Sequence, residues 1–375
     1  MLLGEEPVLP YQRPPLSKKY LAGEVTSERL LIKAPEFYAQ ADCEVETGVS
    51  VESIDRASRK LVLKNNRTLG YDDLILTTGS RVRRLNLPGS DLEGIYYLRS
   101  LADVDAIKND FAPNKRLVVI GGGYIGLEAA AVAAQHGLQV TVLEMAPKLL
   151  ARVVAGPMAA FFERMHTQEG VHIRTEAAVL GFKGDKRVHT VLCGDGVHVE
   201  TDFVVIGIGI LPNSEIAERA GIACDNGIVV DEFARTSDPC VYAAGDCANL
   251  PSGLYGRRIR LESVQNAIDQ AKAAAAAICG KPKIYDEVPW FWSDQYYDVK
   301  LQIAGLSQGY DEVVIRGDIM SRSFAVFYLK EGVLIAVDAV NRVPEFMMSK
   351  RLIAARARIS AKRLADESIN MKEMA

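Results

Sequence analysis

The most restrictive feature of this sequence is a glycine motif that lies between a strand pattern and a helix pattern. Residues 116–120 read Arg-Leu-Val-Val-Ile, a run that is typical of a buried parallel strand. Gly121, Gly123 and Gly126 follow with the spacing G-x-G-x-x-G, and an Ala-rich helix pattern comes next. A strand, a glycine turn and a helix in this order predict a βαβ unit that binds a dinucleotide at the helix N-terminus.

An acidic residue after the motif favours NADH as the dinucleotide. The next strand pattern, 139–144, ends in Glu144, where a carboxylate accepts a hydrogen bond from a ribose 2′-hydroxyl. A site for NADP would need cations at this place for the 2′-phosphate, and Lys148 comes only later. A further strand pattern, 202–207, is predicted for the same sheet. We assign to the dinucleotide the residues Gly121, Gly123, Tyr124, Ile125, Gly126, Glu144, Gly207 and Gly209.

The rest of the chain also alternates short apolar runs with helix patterns, which predicts an α/β fold with parallel sheets. After Gly227 we predict a short strand at 241–245 and a helix from about Val264 to Ile278. Beyond residue 281 the pattern changes to alternating strands, among them 323–329 and 334–340. A closing helix is predicted at 349–363, so the last part of the chain is interpreted as an α+β unit.

Composition excludes several classes of function. The chain has 375 residues, 49% of them hydrophobic, and a net charge of -4, which gives no general attraction to nucleic acid. The longest nearly apolar stretch, 273–279, is far shorter than the ~20 residues of a membrane span, and no signal peptide pattern opens the chain. We therefore expect a cytoplasmic protein that does not act on a membrane.

The cysteines are scattered, with no closely spaced pair among them. This spacing predicts no metal site and no redox-active disulfide. They are Cys43, Cys193, Cys224, Cys240, Cys247 and Cys279.

A second nucleotide site is suggested where a short strand pattern ends in Gly245 and Asp246, because nucleotides bind beyond the carboxyl ends of parallel strands. Together with Thr77-Thr-Gly79 and Arg13-Pro-Pro-Leu-Ser-Lys18, this segment resembles flavin reductases of the pyridine nucleotide-disulfide oxidoreductase fold. Within that fold, the chain is similar to the ferredoxin reductase group along its whole length. The motifs that carry this narrower resemblance are 9–18, 262–266 and 289–295.

The resemblance implies an α/β architecture of two Rossmann-like, three-layer dinucleotide-binding domains followed by a C-terminal α+β reductase domain. The FAD-binding domain is expected in two parts, 1–108 and 227–286. The NAD-binding domain would be 109–226, and the α+β domain 287–375.

The resemblance also implies which residues hold FAD. Asp246 would accept a hydrogen bond from a ribityl hydroxyl, and Val264 would lie against the isoalloxazine ring. Ser263 is a plausible N-cap for the helix that begins at Val264, whose positive end would stabilise charge on the reduced flavin. The full set implied is Glu5 or Glu6 at the adenosine ribose, Arg13 and Lys18 beside the cofactor, Val51 near the adenine, and Thr78, Gly79, Arg99, Asp246 and Val264.

Three residues are expected at the reaction centre. Glu128 matches a family position that faces the nicotinamide, and Lys18 is its expected partner, so we hypothesise an ion pair near flavin N5. Trp292 matches a family aromatic residue on the side where the protein partner docks, although a plain core role is an equally good interpretation.

Without a cysteine pair near the flavin, electrons are expected to pass to an external acceptor. The resemblance implies a [2Fe-2S] ferredoxin of an oxygenase system, either a cytochrome P450 or a ring-hydroxylating enzyme. Such ferredoxins are acidic, so we expect a basic docking surface formed from Arg81, Arg83 and Arg84, from Arg257, Arg258 and Arg260, or from Lys350, Arg351 and Arg356.

Two alternative functions stay open at this stage. The first is a related flavin reductase that acts on a small acceptor. The second is a protein without FAD that only binds NADH or interacts with other proteins. We expect a monomer in each case.

The start of the chain departs from the family pattern. Members open with a strand and a first G-x-G-x-x-G for the FAD diphosphate, whereas residues 1–5 here resemble the end of the second strand. We therefore expect roughly 30 residues, one strand and one helix, to be missing from a shortened chain. Weak retention of FAD, or none, is the expected consequence.

Overall fold

A computed structural model describes residues 1–374, apart from the side chains of residues 294–296. The chain forms two compact units, each assembled from separated segments. The first unit contains Met1–Arg13, Ser27–Arg81 and Ile210–Pro289. The second unit contains Pro14–Thr26, Val82–Gly209 and Trp290–Ala375.

The helices are numbered along the chain, with short 3-10 helices at Pro14–Ser17, Glu28–Leu30 and Met371–Met374. They are α1 (Pro35–Gln40), α2 (Leu101–Lys108), α3 (Tyr124–Gln135), α4 (Gly156–Gln168), α5 (Glu215–Arg219), α6 (Val264–Ile278), α7 (Val343–Ala354) and α8 (Ala361–Ala365).

The strands are numbered in the same way. They are β1 (Leu2–Gly4), β2 (Val45–Thr47), β3 (Val51–Asp55), β4 (Lys60–Leu63), β5 (Thr68–Gly70), β6 (Leu74–Leu76), β7 (Ser80–Val82), β8 (Ile95–Tyr97), β9 (Arg116–Ile120), β10 (Gln139–Leu143), β11 (His172–Arg174), β12 (Val179–Gly184), β13 (Val188–Cys193), β14 (His198–Glu200), β15 (Phe203–Ile206), β16 (Ile210–Pro212), β17 (Ile228–Val229), β18 (Val241–Ala243), β19 (Ala248–Ser252), β20 (Arg257–Ile259), β21 (Trp290–Tyr296), β22 (Val299–Gly305), β23 (Glu312–Asp318), β24 (Ser323–Lys330) and β25 (Val333–Val340).

A five-stranded parallel sheet forms the dinucleotide-binding part of the second unit. Its order is β11-β10-β9-β15-β8, and every neighbouring pair is parallel. Val118 and Val119 of β9 are buried, as expected for a strand covered on both faces. The predicted strand β9 and the helix after its glycine turn are confirmed. Strand β8 of this sheet lies before residue 109, the start of the NAD-binding domain in our prediction.

The C-terminal part of the second unit is an antiparallel sheet in the order β21-β22-β25-β24-β23. The alternating strands predicted at 323–329 and 334–340 are confirmed as β24 and β25. Helix α7 packs on β22 and β25. Apolar side chains such as Phe324 and Phe327 are buried in β24.

The single helix predicted at 349–363 is wrong. Helix α7 ends at Ala354, and Arg356 adopts a left-handed conformation with a φ of 49°. The following residues form an isolated bridge between Val333 and Arg358, and Ser360 then caps the separate helix α8. Pairing with β25 therefore interrupts a helix pattern that the local sequence alone favours.

The first unit contains parallel strand pairs, small antiparallel sheets and helix α6, which contacts β18. Strand β18 pairs in parallel with β6, while β3, β4 and β5 form an antiparallel sheet. Helix α6 has the bounds that the sequence predicted, and its Ala274 is buried with Ala234 and Tyr242. The Ala-rich face allows this helix to lie close to the strand, because alanine adds little side-chain bulk.

A buried arginine attaches the end of the chain to the C-terminal sheet. Arg316, on β23, is 4% exposed, and its Nε lies 3.2 Å from Oε1 of buried Glu345. Its remaining nitrogens donate to the carbonyl oxygens of Leu364, Asp366 and Ile369 at 3.1, 2.6 and 2.7 Å. One guanidinium thus satisfies a buried carboxylate and the backbone of the last segment.

We predict that Arg316→Leu destabilises the second unit by about 3 kcal/mol, because it removes the buried cation nearest to Glu345 and the donor to three backbone carbonyls. Arg342, whose Nη1 lies 3.5 Å from Oε1 of Glu345, remains as the second cation. Urea denaturation followed by circular dichroism measures the loss. Arg322→Leu is the matched control, since Arg322 pairs with partly exposed Glu169 and Asp298 and should cost about 1 kcal/mol or less. Equal losses in both variants would contradict the prediction.

Candidate functional site

The glycine turn between β9 and α3 requires the absence of side chains at two positions. Gly121 has a φ of +106°, and a Cβ there would lie 2.4 Å from the carbonyl oxygen of Gly207. A Cβ on Gly126 would lie 2.2 Å from the carbonyl oxygen of Gly121. These two glycines therefore allow the tight turn and the close packing of helix on strand.

Gly123, the N-cap of α3, has a different role. A Cβ built on Gly123 meets no atom within 4 Å, and its φ of -85° is available to any residue. The fold therefore does not need glycine here. An open position beside the N-terminal amides of α3 fits a pyrophosphate that approaches the backbone closely, so this cradle fits the predicted dinucleotide.

Glu144 lies beside this turn and is oriented by the backbone. Its Oε2 accepts a hydrogen bond from the amide of Gly122 at 2.6 Å, and its Oε1 accepts one from the amide of Ala146 at 2.7 Å. The carboxylate is thus held at the carboxyl end of β10, where the sequence predicted a ribose acceptor. The neighbouring Met145 is 75% exposed.

The remaining residues assigned to the dinucleotide lie around the same turn. The amide of Gly207 donates to the carbonyl of Ile120 at 2.8 Å, and Gly209 has a φ of +101°. Ile125 is exposed at the first turn of α3. The ring of Tyr124 contacts Phe291 edge to face with centroids 5.5 Å apart, and burial raises the pKa of its hydroxyl well above the ordinary value.

A buried carboxylate, Glu128, lies one helical turn beyond Tyr124 on α3. Its Oε2 is 2.5 Å from Nζ of Lys18, so the predicted ion pair is present. The same oxygen accepts a hydrogen bond from Oγ of Ser17 at 2.5 Å, and Oε1 accepts one from Oγ of Ser293. Glu128 is 4% exposed, and Nζ of Lys18 also donates to the carbonyl of Pro14 at 3.2 Å. We refer to Ser17, Lys18, Glu128 and Ser293 as the carboxylate cluster.

The sequence did not assign Ser17 and Ser293 to the site. Each lies inside a motif that carried the family resemblance, directly beside an assigned residue: Ser17 precedes Lys18, and Ser293 follows Trp292. That adjacency was the available signal. A serine hydroxyl has too many ordinary roles for its partner to be inferred without coordinates.

Trp292 is 54% exposed on β21 and packs against a second tryptophan. Its ring centroid lies 5.1 Å from that of Trp290, and Nζ of Lys350 lies 4.9 Å from the Trp290 centroid. The exposure does not agree with the plain core role that was the alternative for Trp292. The arrangement combines an exposed aromatic surface with a cation.

In the first unit, the residues implied for the adenosine part of FAD lie near the chain start. Glu6 accepts hydrogen bonds from Arg13 and, at 2.6 Å, from the hydroxyl of Tyr11. Exposed Glu5 accepts one from Ser50 at 2.8 Å, next to Val51 at the beginning of β3. Ion pairing fixes Glu6 and Arg13 together, while Glu5 faces solvent.

The residues implied for the flavin part lie around β6, β18 and α6. Oδ2 of Asp246 accepts from Oγ of Ser80 at 2.7 Å, and Thr78 donates to the carbonyl of Asn213 at 2.6 Å. Gly79 has a φ of +63°, which suits the turn after β6.

Val264 at the beginning of α6 is 53% exposed, and Ser263 accepts a hydrogen bond from the amide of Asn266 at 3.2 Å as the predicted N-cap. This region combines a carboxylate acceptor, an exposed apolar side chain and a helix N-terminus. These groups fit a flavin. Arg99 and Lys18 belong to the second unit, where the amide of Arg99 donates to Asp103 at 3.0 Å.

The cysteines are free thiols in the described structure. Cys247, beside Asp246, is fully buried and donates to the carbonyls of Leu76 and Ala244, and burial raises its pKa. Burial also raises the pKa of Cys224 to about 11. Raised pKa values disfavour the reactive thiolate, so these cysteines suit structural roles.

The described structure lacks two other classes of feature, metal sites and membrane-spanning helices. Within residues 1–374, no group of histidine, cysteine and acidic side chains has the arrangement of a metal site. None of the described helices combines the length and the apolar character that crossing a bilayer requires.

Comparison with known proteins gives full-length similarity. Residues 1–271 match the family model described as pyridine nucleotide-disulphide oxidoreductase, and residues 290–375 match the model described as reductase C-terminal. Putidaredoxin reductase CamA of Pseudomonas putida is 44% identical over 379 residues, covering 100% of this chain and 90% of the relative. The ferredoxin–NAD(+) reductase subunit of the benzene 1,2-dioxygenase system of Pseudomonas putida is 37% identical over 373 residues, with 100% and 90% covered.

A solved structure gives the same result for the fold. The covalent complex of putidaredoxin reductase with putidaredoxin contains a chain that matches with a TM-score of 0.96 and 44% identity, covering 100% of this chain and 91% of that one. The predicted fold class, two Rossmann-like domains and a C-terminal α+β domain, is confirmed. The predicted boundaries between the four segments 1–108, 109–226, 227–286 and 287–375 stay a prediction.

We predict that Gly123→Ala weakens NADH binding at least about tenfold, because the added methyl group meets ligand rather than protein. The loss of stability should be about 1 kcal/mol or less, the cost of alanine at the N-cap of α3. Titration of NADH against protein fluorescence gives the dissociation constant, and thermal melting gives the stability. Gly156→Ala is the matched control, since a Cβ there also meets no atom within 4 Å. Unchanged NADH affinity in Gly123→Ala would show that no ligand approaches this backbone.

Proposed function

Because the chain belongs to the pyridine nucleotide-disulphide oxidoreductase family, we propose that it is an NADH-dependent flavoprotein that reduces a ferredoxin. Its cofactors are FAD and NADH, and its class is that of the ferredoxin–NAD(+) reductases. The observation that carries the proposal is the Lys18–Glu128 pair, buried one turn into the helix that begins at the dinucleotide turn. The acceptor proposed is a [2Fe-2S] ferredoxin that serves an oxygenase.

Bound flavin supplies the chemistry that the reaction needs, since it accepts a hydride and releases single electrons. The protein residues supply position and electrostatics. We propose that Gly121, Gly123 and Gly126 admit the NADH diphosphate to the N-terminus of α3, and that Glu144 binds the adenosine ribose. Tyr124, Ile125, Gly207 and Gly209 would complete that site.

For Lys18 and Glu128 we propose roles at the reacting rings. The ammonium group of Lys18 would stabilise negative charge that develops on the flavin, and Glu128 would keep this ammonium in place. Their separation of 2.5 Å and the burial of Glu128 support an interaction that water does not screen. Since hydride transfer would take place between the bound cofactors themselves, the residues of this chain would need to supply no acid or base.

For FAD we propose the residues that the resemblance implied. Asp246 would accept from the ribityl chain, Val264 would cover an apolar face of the ring, and Glu5 or Glu6 would bind the adenosine ribose. Arg13, Lys18, Val51, Thr78, Gly79 and Arg99 are the other proposed contacts.

The ferredoxin would dock on a basic surface, and the structure favours one of the three predicted clusters. Arg81 pairs with Glu215 at 2.5 Å, and Arg260 pairs with Glu262 at 2.8 Å, so both charges are partly neutralised. Lys350 and exposed Arg351 instead lie on α7, whose Lys350 contacts Trp290 beside exposed Trp292. We propose that this cationic and aromatic surface receives the acidic ferredoxin and that Trp292 lies on the electron path. We further propose a cytoplasmic monomer.

We predict that Lys18→Met slows the reduction of bound flavin by NADH at least about tenfold, because it removes charge stabilisation near the reacting ring. Anaerobic stopped-flow absorbance of the FAD-loaded protein at saturating NADH measures the rate. Lys19→Met is the matched control, because the neighbouring Lys19 is exposed and should leave the rate unchanged. A rate in Lys18→Met equal to that of the unmodified protein would end the proposal for this lysine.

We also predict that the rate of ferredoxin reduction falls steeply as salt is raised, since screening weakens attraction between opposite charges. Steady-state assays from low to high ionic strength, with an uncharged benzoquinone as the small-acceptor control, measure this effect. Arg351→Glu should reduce the ferredoxin rate and leave the rate with the benzoquinone largely unchanged. A flat salt dependence would argue against electrostatic docking, and turnover with small quinones alone would favour the alternative reductase function.

A further inference from the structure

We infer that Ser17 and Ser293 are positioning residues that hold the Glu128 carboxylate in one orientation for the reaction with NADH. The inference rests on the proposed function, because it concerns the same Lys18–Glu128 pair. It adds residues from two distant segments of the second unit, the 3-10 helix Pro14–Ser17 and strand β21 of the C-terminal sheet.

The hydrogen bonds divide between the two carboxylate oxygens. Oε2 accepts hydrogen bonds from Ser17 and Lys18, both at 2.5 Å, whereas Oε1 accepts one from Ser293. A carboxylate bound only through Oε2 could rotate about its last side-chain bond, and a donor on Oε1 prevents that rotation. Both serines are buried, with exposures of 5% and 3%, so water does not readily replace either hydroxyl.

The packing of β21 on α3 explains why Ser293 reaches this place. Tyr124 and Glu128 lie one turn apart on the same face of α3, a distance of about 6 Å along the helix. Phe291 and Ser293 lie on the same face of β21, about 7 Å apart. Phe291 contacts Tyr124, and Ser293 contacts Glu128. The spacing of these two side chains on β21 therefore matches one turn of α3. This register places the serine hydroxyl on the carboxylate.

The alternation of β21 also separates two roles. Trp290 and Trp292 occupy the face opposite to Phe291 and Ser293, and Trp292 is exposed. The C-terminal sheet therefore contributes Ser293 to the carboxylate cluster. The neighbouring residue, Trp292, belongs to the aromatic surface proposed for the ferredoxin. The role of the sheet extends beyond docking.

The first experiment measures flavin reduction and NADH binding separately. In the FAD-loaded protein, Ser293→Ala should lower the rate constant at saturating NADH about fivefold or more, with the NADH dissociation constant changed less than about twofold. Ser17→Ala should have a smaller effect, since Lys18 still binds Oε2. Ser293→Thr, which keeps the hydroxyl, should restore the rate to within about twofold.

Ser349→Ala provides the matched control. It removes a fully buried hydroxyl of the same unit that has no hydrogen-bond partner in the part of the chain that the structure describes. Its rate and its dissociation constant should equal those of the unmodified protein. The flavin spectrum and the melting temperature of each variant establish that it is folded.

The second experiment distinguishes positioning from a structural role. If Ser293 acts through Glu128, then adding Ser293→Ala to Glu128→Ala should slow the reaction no further. The same fivefold loss in both backgrounds would overturn the inference, as would an unaltered rate in Ser293→Ala together with a slow Glu128→Ala. If Glu128→Ala itself reacts at the normal rate, the proposed role of the pair fails first and the inference falls with it.

Discussion

Burying the carboxylate of Glu128 costs several kcal/mol of lost hydration unless protein donors replace the water. The second unit meets this requirement with donors from two separated segments, which bring Ser17 and Lys18 from one and Ser293 from the other to one side chain on α3. The carboxylate thus fixes the relative places of the 3-10 helix, the dinucleotide-binding helix and the C-terminal sheet. Removing one donor leaves an incompletely paired charge, so local stability and site geometry depend on the same contacts.

The glycine turn imposes the other constraint, which is steric rather than electrostatic. Gly121 and Gly126 are required by the packing of β9 and α3, whereas the position of Gly123 is open in the folded chain. In the proposed site, Glu144 and the N-terminal amides of α3 would present an acceptor and donors to the nucleotide. Because Glu128 is on the first turns of this helix, the proposed nucleotide site and the charged pair share one helix.

The C-terminal domain has two chemically different faces on one strand. Strand β21 directs Ser293 toward the buried cluster and presents Trp292 to solvent beside Trp290. Arg316 stabilises the last segment of the chain against this same sheet by satisfying Glu345 and several carbonyls. In the proposed function, the positioning of Glu128 by Ser293 and the docking of the ferredoxin at Trp292 involve adjacent residues of this strand, and the buried thiol of Cys247 has a structural role.

The sequence by itself determined the features that depend on local order: strand β9 with its glycine turn, helix α6 and the acid at Glu144. The ion pair of Lys18 with Glu128, 110 positions apart in the chain, was expected only from the family resemblance. The single helix that the local sequence predicted at 349–363 is wrong, because backbone pairing with β25 overrides the helix propensity there. Only the tertiary structure decided the partners of Ser17 and Ser293, because their contacts join positions far apart in the chain. A serine hydroxyl has neither a charge nor a sequence periodicity from which its partner could be predicted. The folded structure identifies the partner, because a buried carboxylate needs hydrogen-bond donors and these two serines are next to it.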